Sequence, residues 1–302
     1  MKKAVIDLGT NTFHLLIVES SGNNAFTELY RERIIVHLAE NGIQTLGSKP
    51  YNRALKTMQH YSKIISKHQV SKVTALGTAA LRTAANGPQL IEEINKTTGI
   101  QIQAITGDEE ARLICQGTRL AVPMTEEPVL IMDIGGGSVE FIIANNAKQF
   151  WAQSFPIGVS VLFNQYHKND PISTKEVATI HRYLVQMLFP LKEQLDHYKF
   201  QAMVGASGTF DVLENILVEV KQDPNFSSIQ TSDFKAVFKR WQYSKLEERL
   251  ANIDIPDTRA RWIVVAFILI DFVVNLTNID TIWISKYAMK EGVIADYLNI
   301  EA

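Results

Sequence analysis

The chain opens with two short apolar segments, residues 4–6 and 13–18, that flank a polar turn. The turn, Asp7-Leu8-Gly9-Thr10-Asn11-Thr12, combines a glycine with small polar residues. A turn of this kind between two short apolar runs is typical of a β-hairpin. The pattern therefore predicts an antiparallel pair of strands at the start of the fold.

The same pattern recurs near the middle of the chain. Residues 129–132 form an apolar run, Asp133-Ile134-Gly135-Gly136-Gly137-Ser138 forms the turn, and residues 139–144 form a second apolar run. A duplication with so long a period does not fit a solenoid of short repeats. It predicts two similar domains that face each other.

The remaining apolar patterns predict a mixed α/β protein. Apolar residues at helical spacing favour helices at 51–67, 210–220, 233–250 and 258–276. Two further helices are expected to begin near Asp108 and at Met289. The capping box Ser173-Thr174-Lys175-Glu176 predicts the start of another helix, which runs towards Leu195 with a bend at Pro190. Short apolar runs favour strands at 72–76, 201–204 and 281–284, and residues 221–232 are expected to form a surface loop. The strand at 201–204 leads into a third glycine-containing loop, residues 205–209.

Two prolines, Pro123 and Pro128, enclose an acidic pair and indicate a domain junction. Residues 1–124 are then expected to form one domain and residues 125–302 the other, with the terminal helix packing back on the first domain. A chain of 302 residues, 46% of them hydrophobic, is long enough to form two cores of ordinary size.

Charge and cysteine content narrow the classes of partner. The formal net charge of −2 argues against broad electrostatic capture of nucleic acid or of an anionic membrane. Cys115 is the single cysteine, so no intramolecular disulfide can form, and a reducing cytoplasm fits this composition. The apolar run at 262–270 is too short to cross a bilayer and is expected to be a buried helix. Small anions are the expected partners, and a homodimer is left open.

The three glycine-containing loops share a position after an apolar strand. Glycine lacks a side chain that would obstruct an anion, so each loop can direct backbone N–H groups at phosphate oxygens. One such loop alone is more often a tight hairpin turn, but three in this arrangement favour phosphate binding. The candidate ligands in these loops are Gly9, Thr10, Asn11, Gly135, Gly136, Gly137, Ser138, Gly205, Ser207 and Gly208.

Asp7 and Asp133 occupy the same step of the two predicted hairpins. Either residue alone could stabilise a turn through its carboxylate. Because both occur at the same place in the repeat, we favour the hypothesis that they hold a hydrated Mg²⁺ between the domains. Glu140 lies two positions beyond Ser138 on the same predicted strand face, so it is a further candidate to reach the metal or its water, although a solvated strand residue would look the same.

Adjacent glutamates open the helix that is predicted near Asp108. Glu109 stands three residues after Thr106, which is typical of a capping box and explains Glu109 without a catalytic role. Glu110 shares a helical face with Leu113 and Gly117, so it is expected to point inward. A carboxylate in that position could orient a water molecule and accept its proton during attack on a phosphorus atom.

Five motifs, in order along the chain, resemble those of the exopolyphosphatase/guanosine pentaphosphate phosphatase family, within the actin, hexokinase and Hsp70 superfamily. They lie at 5–14, 77–82, 107–113, 133–140 and 205–209, and the third reads Gly-Asp-Glu-Glu-Ala-Arg-Leu. The resemblance implies two actin-like (ribonuclease H-like) domains with a cleft between them, a dependence on Mg²⁺, and a catalytic glutamate that corresponds to Glu110. It also implies a phosphate-binding role for Arg82.

Weaker candidates surround these motifs. Arg33 and Asn86 are candidates for the same anion channel as Arg82, whereas His14 and His37 lie among apolar neighbours and are expected to be core or hydrogen-bonding residues. Two short segments, Val265-Ala266 and Lys286-Tyr287, differ from the family pattern, and they bear on substrate choice rather than on the catalytic motifs.

The resemblance implies removal of the terminal phosphate from inorganic polyphosphate, with guanosine pentaphosphate as the alternative substrate. A small-molecule kinase of the same superfamily would instead use the loop at 205–209 for ATP, but the motif around Glu110 speaks against it. A sensor without enzymatic activity is the third hypothesis, and the presence of Asp7, Glu110 and Asp133 together makes it less favoured.

Overall fold

The computed structural model describes residues 1–22 and 25–298, and these residues form two mixed β-sheets covered by α-helices. The strands are β1 (Lys2–Leu8), β2 (Thr12–Gly22), β3 (Ala25–Ile35), β4 (Lys72–Gly77), β5 (Ile102–Ala104), β6 (Val129–Ile134), β7 (Val139–Ala144), β8 (Gln149–Phe155), β9 (Met203–Ala206), β10 (Phe226–Gln230) and β11 (Thr281–Ser285). The last four residues of the predicted second domain lie outside the described ranges.

The helices alternate with these strands. They are α1 (Ser48–Lys67), α2 (Ala79–Thr83), α3 (Gly87–Thr98), α4 (Gly107–Arg119), α5 (Val159–Tyr166), α6 (Thr174–Met187), α7 (Phe189–Leu195), α8 (Gly208–Leu217), α9 (Thr231–Trp241), α10 (Leu246–Leu250), α11 (Asp257–Ala260), α12 (Ile263–Thr277) and α13 (Met289–Leu298). Within the described part of the chain, no helix combines the length and the apolar character that a membrane span requires.

Both predicted hairpins are present, as β1–β2 and β6–β7. In each hairpin the aspartate of the first strand pairs with the residue at the corresponding position of the second strand. Asp7 pairs with His14, and Asp133 pairs with Glu140. The turns share a requirement for glycine, because a Cβ at Gly9 would lie 2.8 Å from the carbonyl oxygen of Thr12 and a Cβ at Gly135 would lie 2.9 Å from that of Ser138. Contacts that close are outside the range that a side chain tolerates.

The duplication extends to the topology of the whole sheets. The first sheet has the strand order β3-β2-β1-β4-β5, and the second has the order β10-β11-β9-β6-β7-β8. In each sheet the hairpin and the strand after it are antiparallel, and the next strand joins the first one in parallel, as β4 joins β1 and β9 joins β6. The second sheet therefore repeats the first and adds β10 at its edge. This is the α/β fold with two actin-like domains that the sequence predicts.

Helices α4 and α13 lie between the two sheets. Helix α4 contacts β7 and β8, whereas α13 contacts β1 and α4. Their apolar residues form a core with both sheets, in which Val5 and Leu16 of the first sheet and Ile131 and Ile142 of the second take part. The helices cross at two glycines: a Cβ at Gly117 would lie 1.9 Å from the carbonyl oxygen of Ala288, and a Cβ at Gly292 would lie 1.9 Å from that of Leu113.

Several elements differ from the sequence-based expectation. Residues 221–232, expected as a loop, contain β10 and the start of α9, because β10 gains its hydrogen bonds from β11 and not from a local pattern. The helices expected at 233–250 and 258–276 are each interrupted, giving α9 with α10 and α11 with α12. Strands β3, β5 and β8 have no expected counterpart, since many of their residues are partly exposed and β3 contains a run of charged residues, Arg31-Glu32-Arg33, that interrupts any apolar alternation.

Candidate active site

A cleft of about 600 Å³ lies between the two domains, and the three glycine-containing loops contribute to its walls. The sequence-predicted residues that line it are Asp7, Gly9, Thr10, Asn11, Glu110, Asp133, Gly135, Gly136, Gly137, Ser138, Glu140, Ser207 and Gly208. Most candidates for phosphate and metal binding are therefore brought together, although they come from segments far apart in the chain.

The second loop is held by the start of α5. The amides of Val159, Ser160 and Gly158 donate hydrogen bonds to the carbonyl oxygens of Gly135, Gly136 and Gly137, at 3.0, 2.9 and 3.2 Å. In a planar trans peptide the carbonyl and the next N–H point in opposite directions. The N–H groups of the following residues consequently point away from α5, and these loop residues line the cleft on that side. Such a row of N–H groups is suited to an anion.

Asn11 connects the first loop to the second domain. Its Oδ1 accepts a 2.9 Å hydrogen bond from Ser160 Oγ, and its side chain lies so close to Gly136 that a Cβ there would be 2.7 Å from the Asn11 amide nitrogen. The described residues offer no hydrogen-bond partner to Asn11 Nδ2 or to the buried Thr10 Oγ1. Buried polar atoms are seldom left unpaired, and these two lie where a phosphate oxygen could satisfy them.

The third loop contributes less than predicted. Ser207 adopts a positive φ of 86° and donates a 2.9 Å hydrogen bond from Oγ to the carbonyl oxygen of Ile134, and Gly208 lies against the guanidinium of Arg259. Gly205 is part of β9, and a Cβ there would lie 2.1 Å from the ring of Phe210. The structure corrects the assignment of Gly205 as a phosphate ligand: its missing side chain makes room for a core aromatic ring, away from the cleft.

Glu110 points inward from the first turn of α4, as the helical-face argument predicts. Its residue exposure is 8%, and Arg82 Nη1 donates a 3.2 Å hydrogen bond to its Oε2. Glu109 instead accepts two hydrogen bonds of 2.8 Å from Arg112 on the outer face, and its amide donates to the Thr106 side chain at 3.2 Å. The two neighbouring glutamates therefore have different environments.

Arg82 does not line the cleft. It lines an adjacent cavity, and besides Glu110 it donates a 2.7 Å hydrogen bond to the carbonyl oxygen of Ile105. Asn86 is also away from an anion channel: its side chain accepts from the amide of Leu46 at 2.8 Å and donates to the carbonyl of Leu46 at 2.9 Å. The channel assignment of Asn86 is therefore wrong, and Arg33, which does line the cleft, remains a candidate.

Four carboxylates converge in the interior of the cleft. Burial raises the pKa of Asp7 to about 6. The pKa of Asp133 is raised to about 7 by burial and by repulsion from Glu140 and Asp7. Burial also raises the pKa of Glu110 well above its usual range, with Glu140 and Asp7 adding to the shift and Arg82 opposing it. The pKa of Glu140 is raised by burial and opposed by hydrogen bonds from Ser154, at 2.6 Å, and Ser138. Clustered carboxylates of this kind are typical of functional sites.

The donor set fits a hard divalent cation. The carboxylates of Asp7 and Asp133 line one cleft, and the charge of Asp7 raises the pKa of Asp133, a repulsion that a dication would remove. Among the described residues, no group of three or more His, Cys, Asp or Glu side chains is arranged to hold a metal by itself. Mg²⁺ commonly uses one or two carboxylates and completes its shell with water and substrate phosphates, so two aspartates are a sufficient protein contribution.

Several cations in the cleft have weak or no sequence signals. Arg33, Arg259, Lys286 and Lys290 line it, and Lys290 lowers the pKa of Asp7 and of His14. Lys290 is placed by α13, where the neighbouring Glu291 is fully buried and accepts 2.9 Å hydrogen bonds from Arg31 and from the amide of Ala288. A single lysine in a terminal helix carries no local indication of such a position.

His14 lies in the cleft and not in the core. It pairs with Asp7 across the first hairpin and with Arg33 on the next strand, so the three side chains share one face of the sheet. Burial and the surrounding cations Lys290, Arg259 and Arg33 lower its pKa well below the usual range. Its ring is therefore neutral at neutral pH. His37, in contrast, adopts a positive φ of 48° and packs on Trp262.

The fold and the cleft define a protein of the actin-like class, with two related domains and a cleft lined by glycine-containing loops between them. The model of the Ppx/GppA phosphatase family matches residues 16–301, and the chain belongs to this family. A guanosine-5'-triphosphate,3'-diphosphate pyrophosphatase from Aliivibrio fischeri is 29% identical over 294 residues, which are 96% of this chain and 58% of that relative. The chain thus spans little more than half the length of the curated relatives it matches.

Solved structures resemble the chain over its whole length. A crystal structure of an exopolyphosphatase from Cytophaga hutchinsonii has a TM-score of 0.94 and 36% sequence identity, and the match covers 99% of this chain and 98% of that one. The family member from Aquifex aeolicus has a TM-score of 0.82 and 23% identity, with 100% and 99% coverage, and it supports the fold.

Proposed function

We propose that the protein is an exopolyphosphatase, which hydrolyses the terminal phosphate of inorganic polyphosphate in a metal-dependent reaction. The observation that carries this proposal is the position of Glu110, a buried carboxylate that pairs with Arg82 and lines the same cleft as the glycine-containing loops and the two aspartates.

Glu110 acts as the general base in this proposal. A terminal phosphate held by the N–H groups of the first two glycine loops would have its phosphorus within reach of a water molecule bound to Glu110. The carboxylate orients this water and accepts its proton as the P–O bond to the rest of the chain breaks in line. The raised pKa of Glu110 makes its carboxylate a stronger base, and the Arg82 guanidinium opposes this shift because it favours the ionised form.

Asp7 and Asp133 are proposed to hold Mg²⁺, with Glu140 near enough to reach its water shell. When bound there, the ion would offset negative charge on the phosphoryl oxygens and favour the ionised forms of the surrounding carboxyls. Gly9, Thr10, Asn11, the residues 135–138, Ser207 and Gly208 are proposed to contact phosphate. Lys290, Arg33 and Arg259 line the cleft and supply positive charge for further phosphates of the chain.

Guanosine pentaphosphate is the alternative substrate, and one feature of the cleft favours it. Besides the phosphate loops, the cleft is lined by Glu214 and Asn215 on α8 and by Pro256, which could contact a sugar or a base. A relative in Aliivibrio fischeri carries the name of a guanosine-5'-triphosphate,3'-diphosphate pyrophosphatase. The same Glu110 chemistry applies to both substrates.

Phosphate release from four substrates in parallel tests the proposal. Pure protein is incubated with long polyphosphate, short polyphosphate, guanosine pentaphosphate and ATP, each with and without Mg²⁺. Preferred release from polyphosphate supports the exopolyphosphatase, and preferred release from guanosine pentaphosphate supports the alternative. Binding of polyphosphate without any release would indicate a sensor and contradict the proposal.

The cellular location, the domain boundary and the oligomeric state of the protein are also proposals. A cytoplasmic location agrees with a single cysteine, Cys115, which is buried and free. The division into residues 1–124 and 125–302 is retained as the sequence predicts it, although α4 of the first segment packs on β7 and β8 of the second. A homodimer also remains a prediction, which the molar mass in solution would decide.

A further inference from the structure

A second cavity, the back pocket, lies next to the cleft. It has a volume of about 500 Å³, and it too is formed by both domains. Ala79, Gly137 and Ser138 line both cavities. The back pocket is therefore separated from the cleft by a single layer of residues beside the second glycine loop.

Two hydrogen-bonded pairs cross this layer. In the first, Arg82 lines the back pocket and donates to Glu110, which lines the cleft, at 3.2 Å. In the second, Ser154 lines the back pocket and donates to Glu140, which lines the cleft, at 2.6 Å. The partition is thus made of small residues and polar pairs rather than of packed apolar side chains. Polar pairs of this kind can exchange partners with water or an anion.

In-line attack decides which product faces this partition. The attacking water and the leaving oxygen lie on opposite sides of the phosphorus. If Glu110 holds the water, the released orthophosphate is on the Glu110 side and the shortened chain is on the other. Cations available to the chain, among them Arg33, Arg259, Lys286 and Lys290, line the cleft and not the back pocket. The orthophosphate is therefore enclosed between the remaining chain and the partition.

We propose that the back pocket is the exit route for orthophosphate, so that the shortened polyphosphate can stay in the cleft while the product leaves. This inference rests on the proposed function. Its ligand is a phosphate mono- or dianion that passes Arg82 as the Arg82–Glu110 pair opens.

The lining of the back pocket suits passage rather than tight binding. Arg82 supplies one cation, and Gln44, Gln153 and Gln165 supply amide groups that can donate hydrogen bonds to phosphate oxygens. Asp108 supplies an opposing negative charge. An exit route needs contacts that replace part of the hydration of the anion without retaining it, a condition that also holds for ion channels.

Bulky substitutions at the mouth of the back pocket test the route. Gln165 and Thr83 are exposed residues of its lining, so Gln165→Trp and Thr83→Trp narrow the pocket without altering the core. Gln186→Trp is the matched control, because Gln186 is an exposed glutamine of α6 outside the pocket. Rapid mixing of each protein with long polyphosphate and Mg²⁺ is followed in two ways: acid quenching measures total orthophosphate, and a fluorescent phosphate-binding protein measures free orthophosphate.

Blocking the exit should separate the two signals. In Gln165→Trp and Thr83→Trp, we expect the first turnover in the acid-quenched signal at the rate of the wild type, and free orthophosphate to appear at least about fivefold more slowly, because release becomes limiting. Free and total orthophosphate that rise together in both variants would overturn the exit route. A slower first turnover in the quenched signal would overturn it as well, since the pocket would then affect cleavage. No orthophosphate from the wild type in either signal would refute the proposed function itself.

Discussion

Arg82 donates a 3.2 Å hydrogen bond to Glu110 across the layer that separates the cleft from the back pocket. The two residues lie on different helices, α2 and α4, and a 2.7 Å hydrogen bond to the carbonyl of Ile105 fixes the guanidinium in place. The guanidinium of Arg82 balances the charge of the Glu110 carboxylate, which is buried beside the carboxylates of Glu140 and Asp7. A buried carboxylate with one cationic partner is a suitable general base, because burial makes it more basic and the cation favours its ionised form.

Glu110→Gln should lower kcat by roughly 10²- to 10⁴-fold, the range for loss of a general base, with little change in substrate binding. The amide keeps the shape of the carboxylate but cannot accept the proton of the water. Steady-state phosphate release and equilibrium binding of polyphosphate measure the two effects. Glu109→Gln is the control, because Glu109 pairs with Arg112 on the outer face of the helix. Greater sensitivity at Glu109 would contradict the assignment of the base.

Arg82→Ala should lower kcat/KM by a similar factor for every polyphosphate length. A channel residue would contact only long chains, whereas a partner of Glu110 affects the same step for all substrates. The structure favours the second role, since Arg82 is bonded to Glu110 and does not line the cleft. The measurement is kcat/KM across a length series at fixed ionic strength, because salt screens these contacts. A loss confined to long chains would restore the channel role.

Asp7→Asn and Asp133→Asn should each raise the concentration of Mg²⁺ needed for half-maximal activity, by roughly an order of magnitude. Each change removes one negative charge from a site proposed to bind a hard dication. Excess EDTA should stop the wild type, and added Mg²⁺ should restore it. Full activity in EDTA would remove the metal from the mechanism. Asp108→Asn is the control, since Asp108 is exposed and lines the back pocket instead.

Deprotonation of Asp7 and Asp133 should lower the stability of the metal-free protein as the pH rises from 5 to 8. The folded-state pKa values of Asp7 and Asp133, about 6 and 7, are above their ordinary value of 3.8. Between about pH 4 and 7 the folded protein therefore binds more protons than the unfolded chain, and the free energy of unfolding falls as these protons leave.

Thermal melting in EDTA at pH 5 and at pH 8 measures this effect. We expect Asp7 and Asp133 to lower the melting temperature at the higher pH by a share on the order of a few degrees, which the lowered pKa values of His14, His37 and His167 oppose. Between the two pH values, Asp133→Asn, which cannot ionise, should therefore lose less melting temperature than the wild type, or gain more. A variant with an unchanged slope would show that Asp133 does not carry the raised pKa.

Gly117→Ala should destabilise the protein by about 2 kcal/mol or more, because its Cβ would lie 1.9 Å from the backbone oxygen of Ala288 where α4 crosses α13. Helix α4 can relieve the clash by moving, and Glu110 would move with it, so kcat should fall as well. Chemical denaturation and phosphate release measure both. Gly47→Ala is the control, since the nearest atom to its Cβ would be a side-chain nitrogen at 3.3 Å. Equal effects of the two substitutions would contradict the close crossing.

Local patterns determined the two hairpins and the orientation of Glu110. Each hairpin consists of two strands joined by a short turn that contains Gly9 or Gly135. All its parts are neighbours in the sequence, so the apolar runs and the turn residues are sufficient to predict it. The inward direction of Glu110 follows from helical periodicity, which places Leu113 and Gly117 on the same face. The cleft between two similar domains followed from the repetition of these local units.

Tertiary structure decided the contacts between distant segments. The bond of Arg82 to Glu110, the position of Lys290 beside Asp7 and the division into cleft and back pocket all depend on how α4 and α13 cross between the sheets. The same holds for Gly205, whose neighbour Phe210 became apparent in the packed core, and for β10, which is a strand because β11 lies beside it. A sequence pattern records which face of an element is buried, but the partner of that face is fixed when the whole chain packs at once.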